Sequence, residues 1–332
     1  MRKTLVLVLL CFGACAQPRM LASQRIVSTP VPAPLPTAPP LLTPDPTPGA
    51  PAANVTRRAA PQRVLAAPPE TVGAFRGLGS WIDVFDHTDD PATVVPLVRD
   101  MASNGVQTLY LESARFGSPA DIQFPTAMGA ALDEAKSLGM RVVAWYPPAF
   151  KDPELDFRRS MTAINYVSPN GNRFDAFGAD IEYTEGVPDH STRSRLAVEY
   201  SQRLRTTVGA GYPLAAIVIP PTSLEYNKKR WPGFPWAALR DFYDVFMPMN
   251  YWTARSKDPA TAANLTQQNA EQVRALTGRP VHVIGGLGES ADEAQVGAYV
   301  AAAREGGSLG GGLYDFTTTR PEVWDELQIL RE

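Results

Sequence analysis

The sequence predicts a (β/α)8 TIM barrel, an α/β fold, and three observations lead there. Short apolar runs alternate with helix-like segments from Thr71 onward, they recur at intervals of about 30 to 35 residues, and there are eight of them. Strand-then-helix order at that spacing demands parallel strands joined by crossovers. Eight such units close into a barrel, for which about 250 residues is typical, and residues 71–332 supply that length.

Run one is Gly77–Val84 (GLGSWIDV), followed by a helix over Pro91–Ser103 that starts behind Asp90 with proline in its first turn and stops at Asn104-Gly105. Run two is Gln107–Glu112. A helix from Thr126 to Leu138 ends at Gly139, and run three is Met140–Tyr146. Run four, Ala176–Tyr183 (AFGADIEY), leads through a helix capped near Ser191 or Thr192 to run five, Leu214–Ile219. Run six is Asp244–Tyr251. A helix over Ala260–Leu276 precedes run seven, Pro280–Ile284, and a helix over Ala291–Glu305 precedes run eight, Gly312–Phe316. Gly310–Gly312 reads as a tight turn into that last strand. An open, doubly wound sheet is the competing arrangement, but no run is followed by G-x-G-x-x-G and no P-loop glycine-lysine pair is present.

The first 70 residues stand apart. Residues 17–70 hold 14 of the 32 prolines, a composition that cannot bury enough apolar surface to offset chain entropy, and read as a disordered linker. Residues 1–16 begin Met-Arg-Lys, continue with an apolar run and end in small residues, the order of an export signal. Ala14-Cys15-Ala16 fits ordinary cleavage, whereas Gly13-Ala14-Cys15 resembles a bacterial lipoprotein box with Cys15 as lipid anchor; both readings stay open. The expected location is therefore extracellular or on the cell envelope, with any membrane tether through the N-terminus alone, because no second stretch of 18 apolar residues follows.

Charge narrows the partners. The chain has 31 basic and 34 acidic residues, but residues 1–70 carry seven basic and two acidic side chains, leaving the body with 24 against 32. An acidic body disfavours nucleic acid. Both cysteines lie in the first 15 residues, so the body has no thiol chemistry, and the three histidines (His87, His190, His282) are far apart. No cofactor or metal is expected, and a monomer is. The aspartates of DVFDHTDD could hold calcium, but their spacing is loose and helix capping is sufficient for Asp90.

In such a barrel the reacting groups stand at the C-terminal ends of strands. Strand one ends in Trp81 and Asp83, strand two in Glu112 with Arg115 beyond, strand three in Trp145 and Tyr146, strand four in Asp180 and Glu182. Asn250, Tyr251 and Trp252 end the sixth, and Tyr314 and Asp315 the eighth. Carboxylates and aromatics dominate, which suits carbohydrate chemistry: acid catalysis at a glycosidic oxygen and flat rings against sugar faces. Asp180 and Glu182 lie two apart on a strand and so share a face, where one retains a proton beside its ionised neighbour. The plainer reading is a polar interior or a salt bridge to Arg115. The tryptophans near strand ends can equally be stacking platforms or loop anchors.

The segment FDAFGADIE resembles the strand-four signature D-x-x-D-x-D-x-E of glycoside hydrolase family eighteen, the chitinase-like barrels. Asp175, Asp180 and Glu182 fall on its first, third and fourth acidic positions, while Gly178 replaces the second. MNYW at strand six is similar to the family's M-x-Y-D, with Trp252 in place of the acid. The resemblance implies Glu182 as proton donor, attack by the substrate's own 2-acetamido group, Asp180 orienting the resulting oxazolinium and Tyr251 hydrogen-bonded to it. Family twenty-five, the lysozyme-like barrels, also uses D-x-E on a strand. A separate nucleophile would be sought after strand seven, at Glu289. The expected activity is hydrolysis of a neutral or N-acetylated oligo- or polysaccharide; the missing acid at Gly178 keeps a non-catalytic glycan-binding barrel open as the alternative.

Overall fold

The computed structural model describes residues 69–86 and 89–331. The export signal, Cys15, almost all of the 17–70 linker and His87 lie outside the described residues. Pro69 and Glu70, assigned to the linker, open the short helix α1 (Pro69–Val72) that leads into the body.

Eight parallel strands form the barrel: β1 (Gly77–Ile82), β2 (Thr108–Glu112), β3 (Arg141–Tyr146), β4 (Ala176–Ile181), β5 (Leu214–Val218), β6 (Val245–Pro248), β7 (Val283–Leu287) and β8 (Gly310–Tyr314). Neighbours pair in the order β6-β5-β4-β3-β2-β1-β8-β7. Closure comes from bridges Phe246–Val281 and Met249–Ile284, with the Asn250 amide donating to the Ile284 carbonyl at 2.9 Å. Around the strands lie α2 (Pro91–Ser103), α3 (Pro125–Ser137), α4 (Pro153–Ile164), α5 (His190–Val208), α6 (Pro221–Tyr226), α7 (Trp236–Leu239), α8 (Pro259–Thr277), α9 (Glu293–Glu305) and α10 (Trp324–Leu327).

Aspartate starts most of the long helices. Asp90, Asp152, Asp189, Asp258 and Asp292 each accept an amide from the first turn of α2, α4, α5, α8 and α9, satisfying a donor that no helical carbonyl can reach. Helix α4 is absent from the sequence-based reading because its buried face includes Asp156, Arg159 and Ser160, which breaks the apolar periodicity. Asp156 is satisfied in place: Tyr146 Oη and the Phe150 amide donate to its carboxylate at 2.6 and 2.7 Å.

Two strands are displaced from their expected spans, β7 toward Leu287 and β8 back to Gly310. Both are glycine-rich, and the glycines are strand residues, not a turn. A Cβ on Gly312 would stand 1.8 Å from the Gly79 carbonyl oxygen, and one on Gly286 would press on the Trp252 ring. Close backbone approach between β8 and β1 therefore needs residues that propensity reads as breakers.

Side chains alternate between two cores. Phe177, Ala179 and Ile181 of β4 face the helices, whereas Trp81, Tyr110, Val143, Trp145, Ile217 and Met247 fill the barrel. Trp81 stacks on Tyr110 with centroids 4.2 Å apart, and Trp145 meets Trp81 edge-on at 5.8 Å. Phe75, ahead of β1, plugs the lower end, where His282 Nδ1 donates to its carbonyl at 2.8 Å. Burial holds that imidazole neutral, its pKa lowered to about 4. With the lower and middle barrel filled, polar groups are left to the upper mouth.

Candidate active site

Asp180 stands at the last inward position of β4, only 6% exposed, and its Oδ1 has no hydrogen-bond partner. Burial, then the charges of Glu182 and Glu112, push its pKa well above the carboxylate range, with Arg115 and Arg230 pulling back. Glu182 lies one residue beyond the strand and keeps 30% of its side chain accessible. Its pKa is also raised by burial, against the charges of Arg230 and Arg115 and the hydrogen bond that Arg230 Nη2 donates to Oε2 at 3.1 Å. Burial disfavours the charge on both, and the negative charge of Glu182 adds to the cost of ionising Asp180, so the pair favours retaining a proton.

Arg230 comes from the long crossover between α6 and α7, a segment with no sequence pattern to mark it. It is held there by Arg193, 2% exposed, whose guanidinium donates to the Arg230 carbonyl at 3.1 Å and to the Thr184 and Val187 carbonyls at 3.0 and 2.7 Å. The same guanidinium lies 4.3 Å over the Trp231 ring. Arg193 thus fastens the loop after β4 to the loop that carries Arg230. Sequence reasoning missed both arginines.

Tyr251 sits at the end of β6 with φ 31°. Its phenol pKa is pushed well up by burial and then by Glu182, Asp180, Asp315 and Asp83, so it remains a donor facing both sides of the mouth. Glu112 reaches in from β2, 4% exposed, with Oε2 accepting the Val84 amide at 3.0 Å and Arg115 Nε 3.7 Å from Oε1. Burial raises it to about 8.

The far wall is built where β8 meets β1. Tyr314 Oη donates to Asp83 Oδ2 at 2.6 Å, and Thr317 Oγ1 lies 2.6 Å from Asp86 Oδ1 and 2.8 Å from Asp315 Oδ1. Tyr314 and Asp315 are joined by a cis peptide bond. Burial, helped by Asp315 and Asp83, raises Asp86 to about 7. Asp83, Asp86 and Asp315 offer oxygens all within 4.8 Å of one another and are the residues that could hold a divalent cation. On the rim, Phe116 and Tyr183 meet at 4.4 Å and Arg115 lies 4.6 Å over Phe85, aromatics that the sequence reading had not singled out.

The structure brings together Asp83, Glu112, Asp180, Glu182, Tyr251, Tyr314 and Asp315, with Trp81 and Trp145 as the buried floor at 2% and 5% exposure. It places three expected site residues elsewhere. Tyr146 points outward and bonds Asp156. Asn250 turns toward α8, exchanging hydrogen bonds with Thr266 and Asn269 at 2.8 Å each. Trp252 is fully buried against Tyr299, 4.8 Å away, so it cannot stand in for an acid at the mouth. Alternation explains the first two: each neighbours an inward residue and must face the helices.

Glu289 lies in an exposed 3-10 turn after β7. Asp175, on the first acidic position of the resembling motif, is at the lower end of β4, paired with Lys136 at 2.5 Å and the Val142 amide at 2.6 Å. Gly306–Gly310 spells G-x-S-x-G, but Ser308 precedes β8 and donates to the Gly310 carbonyl at 2.7 Å, far from a strand-to-helix elbow. The broad depression along α4 and α5, lined by Phe157, Arg158, Met161 and Arg203, contains none of the mouth groups.

No protein-family model matches the chain, and no curated protein does. Solved structures do. An endo-1,4-beta-mannanase from Rhizomucor miehei shares 12% identity and a TM-score of 0.58 over 77% of this chain and 95% of its own. The spore cortex-lytic enzyme SleL of Bacillus cereus matches at 10% identity and 0.58, over 77% and 74% of the two chains. A class V chitinase from Pseudomonas fluorescens matches at 10% identity and 0.54, over 76% and 99%. At such identities the likeness is one of fold, and by fold this chain is a (β/α)8 barrel.

Proposed function

We propose that this protein is an exported glycoside hydrolase acting on a neutral or N-acetylated polysaccharide. The observation that carries the reading is the Asp180–Glu182 pair at the mouth of β4, both raised in pKa by burial, with a protonated Tyr251 beside them. Arg230 occupies Glu182 Oε2, which leaves Oε1 to carry the proton to the leaving glycosidic oxygen. The acetamido oxygen of the sugar attacks the anomeric carbon as the glycosidic bond breaks. Asp180, ionised while Glu182 holds the pair's proton, accepts the acetamido N–H and stabilises the cyclic cation, and Tyr251 donates to the acetamido oxygen as it approaches the anomeric carbon. Water then opens the ring, with Glu182 taking back the proton. Carboxyl groups whose burial favours keeping a proton suit this exchange.

A second reading, a non-catalytic glycan-binding barrel, draws on Gly178. The position below Asp180 holds no acid, and the space a Cβ would enter is lined by Ile217 at 3.0 Å and Trp145 at 3.6 Å. Release of reducing ends from chitin fragments, peptidoglycan and neutral glucans separates the two. Turnover abolished by Glu182→Gln supports the hydrolase; saturable binding with no turnover on any of them supports the binder. Export through residues 1–16, with or without a lipid on Cys15, belongs to the same proposal and is read from the mass of the processed N-terminus.

A further inference from the structure

Glu182 and Arg230 reach the mouth from different loops, and one side chain outside the mouth grips both loops. Arg193, near the start of α5, is 2% exposed. Its Nη1 donates to the carbonyls of Thr184, Val187 and Pro188 at 3.0, 2.7 and 3.4 Å, in the loop that follows Glu182, and its Nη2 donates to the carbonyl of Arg230 itself at 3.1 Å. Thr184 lies just beyond Glu182 in the chain, so a single planar group fixes the backbone at both ends of the Arg230–Glu182 hydrogen bond. Trp231, also 2% exposed, has its ring 4.3 Å from the guanidinium, donates Nε1 to Ser194 Oγ at 2.9 Å and meets Phe234 edge-on at 5.0 Å. Burying a charge in this way is unfavourable. No carboxylate among the described residues forms an ion pair with Arg193, its Nε has no hydrogen-bond partner, and burial lowers its pKa against the pull of Asp189. Packing alone gives no reason for a guanidinium here; holding carbonyls from two loops does.

We propose that Arg193 is a positioning residue for the acid: by holding the Arg230 backbone beside the loop of Glu182, it keeps the Arg230 guanidinium on Oε2 and so leaves Oε1 for the leaving oxygen. The inference rests on the hydrolase reading for the role of Glu182. Arg193 acts through Arg230, not by its own charge. The cations that act on Glu182 are Arg230 and Arg115, and the titratable groups beside it are Asp180 and Tyr251. Asp189 is the charged group that faces Arg193. Arg115 is tied to Glu112 and lies over Phe85, so its place does not depend on the crossover. Arg230 does depend on it. The other backbone tie of Arg230, from its amide to the Asn227 carbonyl at 3.0 Å, is local to the crossover and does not reach the loop after β4.

The test is an NMR titration of the full-length protein labelled at its glutamate carboxyls, with the Glu182 signal assigned by its loss in Glu182→Gln. Arg230→Gln should raise the Glu182 titration midpoint by about 1 pH unit or more, because an opposite charge is withdrawn from the carboxylate. Arg193→Met and Arg193→Lys should each raise it by at least half that amount, Arg193→Lys because it keeps the charge and loses the fork. In the Arg230→Gln background neither should move it further, the non-additivity expected when one residue acts through another. A Glu182 signal unmoved in the folded Arg193 variants, or moved as far in the Arg230→Gln background as in wild type, overturns the inference; where Arg193→Met does not fold, Arg193→Lys decides alone. A merely structural role would lower the melting temperature and leave the Glu182 titration in place. Because the titration needs no substrate, it separates the two proposals. If no glycan is cleaved and Glu182 still responds to Arg193, the hydrolase reading falls and the action of Arg193 through Arg230 stands; glycan cleavage abolished by Glu182→Gln, with a Glu182 that does not respond to Arg193, does the reverse.

Discussion

Arg230 holds Glu182 by a hydrogen bond of 3.1 Å that joins the end of β4 to the long crossover after β5. Because the guanidinium favours the ionised carboxylate, Arg230→Gln should raise the Glu182 pKa further. A general acid must be protonated, so the alkaline limb of kcat/KM should move to higher pH in this variant. An unmoved limb would show that another group sets it.

Replacing Glu182 by Gln keeps the shape and removes the transferable proton. Turnover on whichever glycan is cleaved should fall by about 100-fold or more, the scale of a general acid contribution, with circular dichroism unchanged. Glu289→Gln, at an exposed turn, should leave turnover near wild type. The reverse pattern would transfer the chemistry to the strand-seven loop.

Glu112 offers a stability test with a definite sign. Its folded pKa, about 8, exceeds the ordinary value of 4.5, so between these limits the native state binds more protons than the unfolded chain. Stability is therefore greatest below pH 4.5 for this group and is lost as pH rises toward 8, at up to about 1.4 kcal/mol per pH unit. Asp86, raised to about 7 at a more open site, acts in the same direction. Thermal midpoints should fall from pH 5 to pH 8 in wild type and fall less in Glu112→Gln. A midpoint that rises over that range contradicts the buried-proton assignment.

Gly178→Asp would restore the acid of the resembling motif. Its Cβ would meet Ile217 at 3.0 Å, and its carboxyl would enter a packed interior below Asp180. Overpacking of this kind costs about 1–3 kcal/mol, so a lowered thermal midpoint is expected, with no gain in turnover. A stable, faster variant would show that the barrel has room for the proton cycling that Gly178 denies it.

Local order and periodicity were enough to determine the barrel. Eight apolar runs at near-constant spacing require parallel strands with crossovers, and Asp90 before Pro91 marks the start of the first long helix. Asp180 and Glu182 were legible too, because a period of two on a strand puts both on one face. Tertiary structure decided the rest. Only the closed barrel shows that Tyr146, Asn250 and Trp252 face the helices, since the end of a run does not reveal which parity points inward. Helix α4 escaped periodicity because its buried face carries Asp156, Arg159 and Ser160 where the pattern expects apolar residues. The same holds at the site: Tyr314 meets Asp83 across 231 positions and Arg230 meets Glu182 across 48. Such contacts are set by how the strands wrap and how far the crossovers reach, and neither is encoded in spacing along the chain.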